Sequence, residues 1–165
     1  MLESIFRYYQ AVLKKPRDEF LAKYTDPVFI VSHFTEEDKE GKRTRLKTRA
    51  SDESFVPFSV ARVAKREGVN PFKSMITIGR GQANDICIPV PQISKTHAYI
   101  ETGERGELSI TDAGSTNGTR VRGLWLDKKV SVPLEDGDEV VLGVVICSFH
   151  TPEGFYAFLR QVGTT

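Results

Sequence analysis

From Phe55 to His150 the chain is broken every few residues by clusters such as EGVNP, TGERG and EDGD. The runs between them are short and rich in valine and isoleucine. Strands are expected at 58–65, 73–79, 85–88, 97–101, 107–111, 119–121, 128–132, 138–142 and 144–150. Many short strands at this spacing argue for an antiparallel sandwich or barrel. Nothing repeats at a fixed period, which speaks against a solenoid or propeller.

The flanks read differently. Leu2, Ile5, Phe6, Tyr9, Val12 and Leu13 fall at helical spacing and form one apolar stripe. Such a stripe packs on a neighbour, either the main domain or a second copy of the chain, so a homodimer through the N-terminal helix stays open. Pro16 suits the first turn of a second short helix running to Tyr24. Val28–Val31 is an apolar run that has to be buried somewhere. Residues 35–54 pass from acidic TEEDKE through basic KRTRLKTR to small and polar ASDES, as expected of a charged linker or long loop. Thr151-Pro152-Glu153 starts a final helix whose face is Phe155, Phe158, Leu159 and Val162, with Gly163 at its exit. The expected organisation is a helical segment at 1–34, the linker at 35–54, a β domain at 55–151 and a C-terminal helix and tail at 152–165.

Composition narrows the function. With 23 basic and 22 acidic residues in 165, net charge +1, there is no global attraction to nucleic acid or membrane. The basic run at 42–49 lacks interleaved aromatics and follows acid directly, so nucleic acid is not the expected partner. No segment has the length of a membrane span or the apolar core of a signal peptide, and the expected location is cytoplasmic. Cys87 and Cys147 read as reduced core thiols. His33, His97 and His150 show no metal-ligand spacing, and no cofactor loop is present, since Gly79-Arg80-Gly81 lacks the later features of a dinucleotide or P-loop motif.

Three segments hold phosphate-compatible groups. Gly79-Arg80-Gly81 ends one strand, where a guanidinium flanked by glycines can swing over a ligand. Ile93-Ser94-Lys95-Thr96-His97 offers a hydroxyl, an ammonium and backbone N–H groups. Gly114-Ser115-Thr116-Asn117-Gly118-Thr119 adds hydroxyls and an amide. The order GR, NDICI, ISKTHAYI, TDAGSTNGTRV and LEDGDEVVLG, across about residues 56–150, resembles the forkhead-associated (FHA) domain family.

That resemblance implies an all-β, antiparallel two-sheet sandwich, here with an N-terminal helical extension and a short C-terminal helix. It implies loops at one end that grip a phosphothreonine in an extended peptide, and no catalysis. Arg80 matches the phosphate-binding arginine and Ser94 the serine that donates to another phosphate oxygen. Lys95 would supplement them, Thr116 would approach the phosphate, and Asn117 would bind the peptide main chain. Gly79, His97 and Gly118 would support the site structurally, with Asp112 and Asp138 as turn anchors. Where many members have Asn-Gly, this chain has Arg122-Gly123, next to loops that choose ligand residues beyond the phosphothreonine. The partners implied are phosphothreonine-containing proteins downstream of a Ser/Thr protein kinase, which makes the chain a signalling adaptor. The alternative is a phospho-independent scaffold built on the same fold.

Overall fold

A computed structural model describes residues 1–35 and 58–163. The expected linker therefore lies, apart from Thr35, outside the described residues. In chain order the elements are β1 (Leu2–Ser4), α1 (Ile5–Lys14), α2 (Arg17–Lys23), β2 (Val28–Phe34), β3 (Ser59–Arg62), β4 (Met75–Gly79) and β5 (Ile86–Cys87). They continue with β6 (Ala98–Thr102), β7 (Leu108–Asp112), β8 (Thr119–Val121), β9 (Leu124–Trp125), β10 (Ser131–Pro133), β11 (Glu139–Leu142), β12 (Val145–His150) and α3 (Pro152–Val162). One sheet has the order β1-β3-β2-β12-β11-β8-β9 and the other β10-β7-β6-β4-β5. The fold is a two-sheet β-sandwich with helices from both ends of the chain, in which β4 and β5 pair in parallel and the other ladders are antiparallel.

The main core lies between the sheets. Ile78, Ile100 and Ile110 of one sheet, all fully buried, share a cluster with Phe29, Val31, Val140 and Leu142 of the other. A second cluster covers the outer face of the larger sheet: Val28, Ile30 and Val60 pack with Tyr8, Val12, Phe20, Phe155 and Leu159 of the helices. Alternate residues of β2 thus face opposite clusters. Burial on both faces explains why Val28–Val31 is continuously apolar instead of alternating.

The segment at 1–34, expected as a helical extension, thus also contributes two strands to the larger sheet. Leu2–Ser4 pairs with β3, and β2 sits between β3 and β12 inside the sheet. The helix begins only at Ile5, where Ser4 caps it by accepting from the Phe6 N–H at 3.4 Å. The helix packs on the chain itself through Tyr8, outside the expected stripe, and Val12: Tyr8 meets the Phe155 ring edge-on at 5.2 Å between centroids, while Phe6 and Leu13 of that stripe stay exposed. At the other end Thr151 caps α3, its hydroxyl accepting from the Gly154 N–H at 3.1 Å, and Pro152 takes the first turn. No helix among the described residues is long and apolar enough to cross a membrane.

Candidate functional site

Gly79 ends β4 where two loops meet at backbone contact. A Cβ there would stand 2.2 Å from the Lys95 carbonyl oxygen, so no larger residue fits without moving the chain. This close approach lets the Arg80 N–H donate to the Ser94 carbonyl at 2.9 Å and the Gly81 N–H to the Lys95 carbonyl at 3.1 Å. The exposed Arg80 side chain is held at its neck, with Nε donating to the Ile93 carbonyl at 3.1 Å. Its terminal amino groups have no partner among the described residues and can serve an anion.

The serine loop is fixed by His97, which is wholly buried. Its Nδ1 accepts from the Ser94 N–H at 3.2 Å and its Nε2 lies 2.9 Å from the Gly118 carbonyl, which assigns the proton to Nε2. Burial holds the imidazole below its ordinary pKa, against the opposing pull of the Gly118 carbonyl and Asp112. The ring is a neutral strut between two loops.

The third loop is organised by Asp112 at the end of β7. Its Oδ1 accepts from the Gly114 and Ser115 N–H groups at 2.8 and 2.9 Å, and its Oδ2 from the Ser115 and Thr119 hydroxyls at 2.6 and 2.7 Å. Burial pushes its pKa up, but these donors outweigh it and the net shift is downward. Gly118, at φ 82°, donates its N–H to the Ser115 hydroxyl at 2.9 Å. The turn so made presents Thr116 and Asn117: the Thr116 N–H donates to Ser94 Oγ at 3.1 Å and Asn117 Nδ2 to the Gln92 carbonyl at 2.8 Å.

Arg80, Ser94, Lys95, Thr116 and Asn117 are therefore brought together by direct links between three loops, with Gly79, His97 and Gly118 in the framework behind them. Ser94 Oγ accepts from Thr116 and still has its own proton to donate. Lys95 is exposed while its carbonyl anchors the arginine loop. Cys147 is a core thiol with its pKa pushed up to about 12 by burial. Cys87 is only half-buried, its Sγ 3.5 Å from the Arg80 carbonyl, so it departs from the expected core position.

Arg122 packs back on its own domain. It and Gly123 form the two-residue turn between β8 and β9 with φ of 49° and 80°. Positive φ at both positions favours Asn-Gly, so an arginine here is strained. Its guanidinium is drawn back onto Asp138 and the Pro133 carbonyl.

Sequence reasoning also passed over a buried polar pair, Asn84 and Asp85. The Asn84 side chain donates to the carbonyls of both Gly81 and Lys95. Asp85 gathers the Lys65 ammonium at 2.8 Å, the N–H groups of Arg66 and Thr77 at 2.8 and 2.9 Å, and the Thr77 hydroxyl at 3.1 Å. Burial pushes the Asp85 pKa up, yet the Lys65 ammonium and these donors bring it down to about 2. The available signal was two polar residues standing before the apolar ICIPV.

Residues 76–143 match the family model for the FHA domain. A 71-residue stretch is 42% identical to an FHA domain-containing protein of Arabidopsis thaliana, covering 42% of this chain and 18% of that protein. A 73-residue stretch is 37% identical to the serine/threonine-protein kinase RAD53 of Saccharomyces cerevisiae, covering 44% of this chain and 9% of the kinase. The chain thus spans less than a fifth of the length of these curated relatives. The solution structure of the FHA domain of an Arabidopsis thaliana hypothetical protein is 25% identical, with a TM-score of 0.51 over 78% of this chain and 87% of that one. An engineered FHA protein solved with a Myc-pTBD peptide shares the fold at 20% identity and a TM-score of 0.54, covering 82% of this chain and 98% of that one. With the sandwich, the three linked loops and the family match in agreement, this chain carries an FHA domain.

Proposed function

We propose that the chain binds peptide segments bearing phosphothreonine, through Arg80, Ser94, Lys95, Thr116 and Asn117. The observation that carries this is the Arg80 side chain, which among the described residues is pinned at Nε and open at its terminal amino groups, beside a hydroxyl with a proton to give. A phosphate carries about −1.5 to −2 charge at neutral pH, and a planar guanidinium can meet two of its oxygens at once. Asn117, oriented through Gln92, offers its amide oxygen to a peptide N–H.

In this reading the chain is a binding module and performs no chemistry. His97, the imidazole at these loops, has both ring nitrogens committed to backbone groups. The partner is a protein phosphorylated by a Ser/Thr kinase, so the chain works as a signalling adaptor in the compartment where that kinase acts, the cytoplasm. The likeness to a serine/threonine-protein kinase and to an FHA protein solved with a peptide supports this setting.

Isothermal titration with matched peptides tests the proposal. The phosphothreonine peptide should bind, its unphosphorylated twin should not, and the phosphoserine form should bind about fourfold more weakly, as expected for the loss of one buried methyl worth ~0.8 kcal/mol. Equal binding with and without phosphate would point instead to a phospho-independent scaffold.

A further inference from the structure

Arg80 has a second neighbour. A cleft of about 620 Å³ lies against it, lined by the start of β1 together with Arg66, Gln82, Cys87 and Pro89. That volume falls within the roughly 300–1,000 Å³ common for ligand sites. Ser94, Thr116 and Asn117 do not line it, so Arg80 is the wall shared between this cleft and the phosphothreonine site.

The cleft's charge is one-sided. Two guanidiniums line it and, among the described residues, no carboxylate does. Glu3 and Glu67, each next in sequence to a lining residue, do not line it, and Asp85 is buried and committed to Lys65 and to backbone N–H groups. Arg66 is exposed yet placed. Its N–H donates to Asp85 Oδ1 at 2.8 Å and its Nη1 to the Asn84 carbonyl at 3.2 Å, and among the described residues the other guanidinium donors have no partner. Asn84 in turn ties down Gly81 and Lys95, so Arg66 and Arg80 are held by one network. Two cations fixed around one opening repel each other, and an anion between them relieves that repulsion. A phosphate seated on Arg80 and Ser94 leaves Arg66 unneutralised.

We propose that this cleft is a second anion subsite: it takes a phosphorylated or carboxylate side chain from the same peptide whose phosphothreonine occupies the Arg80 site, and Arg66 determines that specificity. The inference rests on the phosphothreonine reading. It makes the preferred ligand a doubly anionic peptide, produced by a kinase acting twice or acting beside an acidic residue.

Fluorescence anisotropy on the full chain tests it, using an alanine-flanked phosphothreonine peptide and variants with one flanking alanine replaced by phosphoserine or by glutamate. At one flanking position phosphoserine should raise affinity about tenfold and glutamate about threefold, as for partly exposed charge-assisted pairs. Arg66→Gln should bring that ratio close to one, while Arg66→Lys, which keeps the charge, should retain most of it. Arg66→Glu should transfer the preference to a lysine at the same position, an exchange that misfolding cannot mimic. No position favouring a second anion, or a ratio unchanged by Arg66→Gln, overturns the subsite while phosphothreonine binding stands. Failure of the alanine-flanked phosphothreonine peptide itself to bind removes both readings together.

Discussion

Arg80 is bound at one nitrogen and open at the others, so its loss should affect binding far more than folding. Arg80→Ala is expected to cost about 2–5 kcal/mol of phosphopeptide affinity, and Ser94→Ala on the order of 1.5–3 kcal/mol. Titration calorimetry measures both, and an Arg80→Ala protein that binds as tightly as the parent would sink the assignment. His97 should behave in the opposite way. Removing its buried ring leaves the Ser94 N–H and the Gly118 carbonyl unpaired and opens a cavity, a loss of roughly 3 kcal/mol in denaturant unfolding. The imidazole also ties stability to pH. Its folded pKa lies below the ordinary histidine value of 6.5, so the unfolded chain takes up the proton first. The stability it contributes is complete above about pH 6.5 and declines as pH falls below that value, until the folded form protonates too. Between pH 7.5 and 5.5 the parent should therefore lose more stability than His97→Ala, and equal losses would refute the strut. The backbone-binding arrangement of His97 could not be read from residue type, because an imidazole beside a hydroxyl has the same composition in a catalytic pair.

The segment from β4 to β5 shows how one carboxylate can organise several elements. Asp85 joins Lys65, Arg66 and Thr77, and Asn84 joins the arginine loop to the serine loop. The folded pKa of Asp85, about 2, lies below the ordinary aspartate value of 3.8, so its contribution is complete above about pH 4 and is lost as pH falls through 2. The loss should be on the order of 2 kcal/mol, and Asp85→Ala at neutral pH should cost about 3–5 kcal/mol because it removes the counter-charge of Lys65 and the acceptor of the Arg66 and Thr77 N–H groups. Urea titrations at pH 7, 4 and 2 would show the first effect, and a stability curve flat between pH 4 and 2 would contradict it. The strands themselves were legible from valine, isoleucine and turn clusters. The Asn84–Asp85 network was not, because a buried polar pair reads as a turn until its partners, up to 20 residues away, are in place.

Across the whole molecule two apolar clusters share the larger sheet, one inside the sandwich and one beneath the helices. Phe20 of α2 is fully buried, with its ring 6.3 Å from Phe155 and 5.3 Å from Tyr156 of α3. Phe20→Ala should cost about 3–5 kcal/mol and lower the melting temperature. Circular-dichroism melts would register this, and an unchanged transition would mean that the helices contribute nothing to the fold. The sequence by itself determined the strand-rich character of the chain, the helices at its two ends and the loop residues suited to phosphate. Each of these depends on local spacing, turn chemistry or residue type within a few positions. Only the tertiary structure decided that β1 and β2, before the charged stretch, belong to the sheet, since Val28–Val31 acquires its role from neighbours at both faces. Tertiary structure also turned Arg122 onto Asp138, 16 residues away, and set Arg66 and Arg80 around one cleft. Those outcomes depend on which distant groups can satisfy a charge, and chain order alone does not specify that.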